Sequence, residues 1–167
     1  ILERGVDILR SVSDMLREVN SNHKIILDMQ KWGTDIPEIV TKQINYVAPL
    51  IDEAIVCPMG GGRQSLKAFV DACIKNTIKP ICVLEMTQPE ANCYLTNNAY
   101  MKILYDASLY GINDFVIPAT KEPKVEIKNE LLKSFYPNGF EGTVNFYATG
   151  FKAQGGQTKP MVDFGVT

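Results

Sequence analysis

The sequence predicts an α/β protein made of repeated βα units, and three observations carry that prediction. Short apolar runs alternate with longer amphipathic ones, the runs recur at a near-constant spacing, and polar residues gather just behind the carboxyl end of each run. The runs fall at 25–29, 54–57, 81–85, 114–118 and 144–148. They are rich in β-branched and aromatic side chains, as strands buried on both faces should be. Their centres lie near residues 27, 55, 83, 116 and 146, so successive centres are 28, 28, 33 and 30 residues apart. That is the length of a βα unit, and the crossover within such a unit makes neighbouring strands parallel. Helical patterns fill the intervals at 6–19, 37–50, 64–76, 98–110 and 122–135. In the fourth of these, Met101, Leu104, Tyr105, Ser108 and Leu109 trace one helical face. Two architectures fit the repeat, a doubly wound open sheet and a closed eight-stranded barrel.

A chain of 167 residues fits one domain, expected to span 1–167, and can bury a sizeable core. Both ends look cut: Ile1 opens directly into a helical pattern without an initiator Met, and Val166-Thr167 stops where an apolar strand could begin. Hydrophobic residues at 46% and charged residues at 22% are ordinary for a globular protein. A formal net charge of -2 argues against nucleic acid or an anionic membrane as a bulk partner, while leaving room for a local anion site. Cys57, Cys73, Cys82 and Cys93 form no CxxC pair and no metal-ligand spacing, which predicts buried, reduced thiols. His23 is the only histidine, which disfavours a Ser-His-Asp triad or a zinc site. No stretch approaches the roughly 20 apolar residues of a membrane span, and no signal-peptide pattern opens the chain. The expected compartment is the cytoplasm.

In βα folds chemistry gathers at the carboxyl ends of the strands. The first predicted strand delivers Asp28, then Lys31 and Asp35; the second delivers Cys57 and Gly60-Gly61-Gly62-Arg63; the third delivers Glu85-Met86-Thr87-Gln88. The fourth delivers Ala119-Thr120-Lys121, and the fifth the segment from Thr149 to Gly156. Gly155-Gly156 permits positive φ and amides turned toward an anion, with Gln154 as an added donor, although an ordinary glycine turn also accounts for it. An ammonium at Lys31 between Asp28 and Asp35 is held charged and positioned to stabilise a carbanion and protonate it. A plainer reading makes Asp35 an N-cap, with Pro37 in the first helical turn and Glu38 as capping-box partner. Strand alternation also places Gln30 on the face of Asp28, so Lys31 reaches it where the strand ends or bulges near Met29.

Taken together, these segments resemble the orotidine 5'-monophosphate decarboxylase family. The resemblance lies in Ile25-Ile26-Leu27-Asp28 running into Asp35-Ile36-Pro37-Glu38, in Leu84-Glu85-Met86-Thr87-Gln88-Pro89, in Val116-Ile117-Pro118-Ala119-Thr120 and in Thr149-Gly150-Phe151-Lys152-Ala153-Gln154-Gly155-Gly156. It implies a (β/α)8 barrel, with this chain running from about the third strand to just before the eighth. The implied activity is decarboxylation of orotidine monophosphate to UMP in pyrimidine biosynthesis, by a homodimer with no metal or organic cofactor. The family's catalytic array falls on Asp28, Lys31 and Asp35: Lys31 would protonate C6 of the pyrimidine, and Asp35 would reach into the neighbouring subunit's site. Ile36 would lie beside the base and Thr87 would touch it, while Gln154, Gly155 and Gly156 would hold the phosphate. Departures from the family pattern are two extra residues between Asp28 and Asp35, Cys57 in a common His position and Thr149 in a common Pro position. Lys152 and Arg63 are candidate substitutes for a phosphate-gripping arginine. Two other functions share this fold, a magnesium-dependent sugar-phosphate decarboxylase or aldolase and a non-catalytic nucleotide-binding homologue. Asp163-Phe164-Gly165 is expected to form a turn into a following strand.

Overall fold

A computed structural model describes residues 2–28, 33–93, 97–120 and 144–164. Helix α1 (Leu2–Val19) is followed by β1 (Ile26–Asp28), α2 (Pro37–Val47), β2 (Glu53–Val56), α3 (Gly62–Lys75), β3 (Lys79–Val83), α4 (Asn97–Leu109), β4 (Asp114–Pro118), β5 (Asn145–Thr149) and α5 (Thr158–Phe164). All five predicted strands form; the helix expected at 122–135 lies outside the described residues. The chain divides into two compact units, 1–80 and 81–167.

In the first unit β1 and β2 run parallel, pairing Ile26 with Glu53, Leu27 with Ala54 and Asp28 with Ile55. The amide of Lys79, at the head of β3, donates to the Asp52 carbonyl (2.9 Å). Helix α2 turns Val40, Ile44 and Val47 inward, and α3 turns in Leu66, Phe69, Val70 and Cys73. The two helices pack together, and Asn76 Nδ2 donates to Asn45 Oδ1 (2.8 Å) beside their ends. Strand β1 departs from the expectation of burial on both faces, since Ile26 is exposed. It pairs with β2 alone among the described residues, so one edge and much of its surface lack cover. Helix α1 is covered on one side only. It buries Val6 and Ser13 but leaves Ile8, Val12, Met15 and Val19, spaced four, three and four residues apart along one face, between 45% and 80% exposed.

In the second unit β3, β4 and β5 are parallel neighbours in chain order, pairing Cys82 with Phe115 and Asp114 through Pro118 with Asn145 through Thr149. A doubly wound sheet reverses its strand order at one point; within neither unit does such a reversal occur. The pairing and the two-residue strand period put Asp114, Asn145 and Tyr147 on one face. There the buried Asp114 carboxylate accepts from Asn145 Nδ2 (3.0 Å) and the Tyr147 hydroxyl (2.9 Å). Phe115 and Phe146 pack on the other face with ring centroids 6.1 Å apart.

Three expectations are corrected. Helix α4 buries Asp106 and Ala107 most deeply, on the side away from Tyr105 and Leu109, which stay exposed. Apolar residues lie on both faces of this helix, and the small side chain of Ala107 admits the closer approach. Cys57, Cys73 and Cys82 are buried free thiols, whereas Cys93 is exposed because the chain leaves the sheet well before it. Asp163 and Phe164 belong to α5 rather than to a turn, since the apolar Met161 docks this short helix in the core.

Burial pushes the Cys73 thiol up from 9.0 to about 12. Between those values the unfolded chain releases a proton that the folded chain keeps, so folding loses stability as pH rises across that window. Urea midpoints measured from pH 8 upward should fall less steeply in Cys73→Ala than in the parent protein; parallel slopes would contradict this.

Candidate active site

In the first unit, β1 ends at Asp28, whose side chain is exposed. Lys31 and its rival Gln30 lie outside the described residues. Gly33 has φ +80°, and a Cβ built on it would lie 2.4 Å from Cγ2 of Val56 in β2. A Cβ on Gly61 would sit 1.5 Å from the Gly33 carbonyl oxygen. No side chain fits at either position, and the turn after β1 is seated directly against the start of α3.

The same helix holds the next part of the turn. The buried Ser65 hydroxyl donates to the Asp35 carbonyl, and the Asp35 carboxylate accepts from the Ile36 amide (2.7 Å). Asp35 and Ile36 are both exposed. Asp35 does not cap α2. Pro37 occupies the first helical position and restricts the residue before it to extended backbone. Ile36 (φ -64°, ψ 152°) is therefore the N-cap, with no side-chain cap bond, and Glu38 falls one position short of a capping-box partner. The expected Asp35 cap is displaced by one residue, which leaves its carboxylate on the surface.

Cys57 follows β2 as expected, but burial raises its thiol pKa, with a backbone hydrogen bond at Met59 opposing the effect in part. A neutral buried thiol is a packing group rather than a nucleophile. Arg63 lies exposed in the first turn of α3.

In the second unit the polar residues converge on Gly150. With φ +90°, it would place a Cβ 2.9 Å from Gln154 Oε1, 3.0 Å from Thr87 Cγ2 and 3.1 Å from Thr120 Cγ2. Three segments, following β3, β4 and β5, thus meet around one glycine. The Thr120 hydroxyl donates to the Thr87 carbonyl (3.1 Å). The loop after β5 closes on itself: Gly155, at φ +83°, donates its amide to the Lys152 carbonyl (2.9 Å), and Gly156 donates to Gly150 (3.0 Å). Both glycine amides that the sequence offers to an anion are engaged in shaping the loop, which leaves the Gln154 side chain as its candidate donor. Lys152 is exposed and holds a left-handed backbone at φ +56°. In the same unit, burial and the Glu85 carboxylate both push the Tyr100 phenol up, so it stays protonated and able to donate.

Sequence reasoning missed Gly33, Gly61, Ser65 and Thr120 as site-building residues. Gly60-Gly61-Gly62 was visible as a cluster, but its partner across the turn was not. Thr120 was visible only as a polar residue behind a strand.

No family model matches the chain, and no curated protein matches it. Solved structures do. An orotidine 5'-monophosphate decarboxylase from Methanocaldococcus jannaschii, complexed with inhibitor BMP, superposes with a TM-score of 0.73 at 24% identity, covering 98% of this chain and 68% of that one. The chain shares the fold of these decarboxylases. The enzyme from Sulfolobus solfataricus gives a TM-score of 0.63 at 18% identity, covering 92% of this chain and 67% of that one. That from Metallosphaera sedula gives 0.57 at 19%, covering 94% and 67%. At such identities the likeness speaks for the α/β fold with parallel strands and not for the chemistry. No helix among the described residues is long and apolar enough to cross a membrane.

Gly61→Ala should cost about 3 kcal/mol or more, because its methyl group would occupy the place of a backbone carbonyl. Gly62, with φ +72° and nothing within 4 Å of a built Cβ, should tolerate alanine at roughly 1 kcal/mol of left-handed strain. Equal urea midpoints for the two variants would refute the contact.

Proposed function

We propose that the protein removes CO2 from orotidine monophosphate to give UMP. The observation that carries this reading is the convergence of Thr87 and Gln154 on Gly150, in a chain that shares the decarboxylase fold and carries Asp28, Lys31 and Asp35 behind its first strand. In this reading the bond from C6 of the pyrimidine to its carboxylate breaks, the electron pair stays on C6, and CO2 departs. The Lys31 ammonium stabilises that pair and donates a proton to C6; solvent then returns a proton to the amine. Asp28 and Asp35 keep the lysine charged. Fixed charge in a site closed from water is the largest available contribution to such a barrier. Thr87 meets the pyrimidine, Ile36 lies beside it, and Gln154 on the loop shaped by Gly155 and Gly156 meets the phosphate. The reaction uses no metal and no organic cofactor.

We read the chain as a single barrel domain acting as a cytoplasmic homodimer. Asp35 and Ile36 are exposed on a turn held from behind by α3, as residues that reach into a neighbouring subunit should be. Such sharing gives each site groups from two chains.

Lys31→Ala should abolish CO2 release while leaving UMP affinity within about tenfold, since the lysine acts on charge that develops in the transition state. Retained turnover would remove Lys31 from the mechanism. Lys31→Ala and Asp35→Ala should each be inactive alone. Mixed subunits should recover about a quarter of the parent activity, because half of the dimers then carry one intact site; no recovery on mixing would contradict a shared site.

A further inference from the structure

We propose that Thr120 is a positioning residue that couples the Thr87 turn to the Gly150–Gly156 loop, and so sets the separation between the base-binding and phosphate-binding ends of the site. This inference rests on the nucleotide reading above.

The geometry comes from β4, the middle strand of the second unit. The last ladder bond between β3 and β4 is Leu84 N–H to the Val116 carbonyl (3.0 Å). Beyond it the chain after β3 leaves the ladder, and the Thr120 hydroxyl reaches across to the Thr87 carbonyl (3.1 Å). On its other side, the residue before Thr120 is tied once to the end of β5 and once to the segment after it. The Ala119 amide donates to Thr149 (2.7 Å), and the Ala119 carbonyl accepts from the Gln157 amide (3.2 Å). The Thr120 methyl group stands 3.1 Å from the Cβ position of Gly150, so it also limits how near the loop can come. One half-buried side chain thus touches both segments, with its hydroxyl on one and its methyl on the other.

A ligand that carries a base and a phosphate gains from joining two subsites only when their spacing is held, because the second contact then forms at high effective concentration. Loosening the spacing should weaken the joined ligand far more than either fragment. A residue that only supported the fold would weaken all three alike.

The test compares Thr120→Val, which keeps the shape and removes the hydroxyl, with Thr120→Ser, which keeps the hydroxyl. In the unliganded protein, amide hydrogen exchange over 85–88 and 150–157 should quicken in Thr120→Val and stay near the parent rate in Thr120→Ser. Unchanged exchange in Thr120→Val overturns the coupling, whatever the ligand. Calorimetry with UMP, uridine and ribose 5-phosphate should show UMP affinity falling about tenfold in Thr120→Val, with each fragment changing less than about threefold and recovery in Thr120→Ser. Equal losses for all three ligands would make Thr120 structural only and overturn the proposal. If the parent protein bound no UMP, the nucleotide reading would fall, and the exchange data would still decide whether Thr120 couples the two segments.

Discussion

In the first unit, the place of the turn after β1 depends on a contact in which no side chain takes part, the Gly33 carbonyl seated against the Cα of Gly61. The described part of this turn carries Asp35 and belongs to no strand ladder itself. Such a turn holds its place only if something rigid meets it. Here the rigid body is the amino end of α3, anchored by the fully buried Leu66 and Phe69 one turn further on. With the backbone wedged there, the Ser65 hydroxyl and the Ile36 amide need only short reaches to fix both ends of Asp35. Core packing in α3 is thereby converted into the position of an exposed carboxylate.

The loop after β5 in the second unit is built on the same physical principle with different parts. Gly150 brings three strand ends together because it has no side chain to keep them apart, and Gly156 lies so close that a Cβ would stand 2.6 Å from the Gly150 carbonyl. The loop spends the amides of Gly155 and Gly156 on its own closure. A backbone ring closed by its own hydrogen bonds is the kind of support that a preorganised binding loop requires. The cost of ordering the loop is then met during folding rather than at each binding event.

Much of the fold could be read from the sequence, because two-faced burial of parallel strands writes itself as dense apolar runs at a constant interval. Strands β4 and β5 lie within a residue of their expected bounds for that reason. The side of α4 that packs could not be read, since Met101 and Leu104 on one face and Ile103 and Ala107 on another give competing stripes, and only the shape of the neighbouring surface chooses between them. The start of α2 falls at Pro37 as expected, but its cap slipped by one residue because the capping pattern at Asp35 competes with the restriction that Pro37 places on Ile36, and the proline prevails. Among the candidate site residues, those proposed for their own chemistry, such as Asp28, Thr87 and Gln154, stand out by type and position. Residues that act by fitting against something distant do not. Gly33 and Gly61 are 28 residues apart (61 minus 33), and nothing local to either reveals the other.

The uncovered face of α1 has a colloidal consequence. Four large apolar side chains in one row on α1, together with the exposed Ile26 of β1, are surfaces that water solvates poorly. Handled as an isolated 167-residue polypeptide with so small a net charge, the molecule has little electrostatic repulsion to oppose clustering through that row. Its behaviour in concentrated solution will be governed by this flank of the first unit, far more than by the polar loops behind the strands.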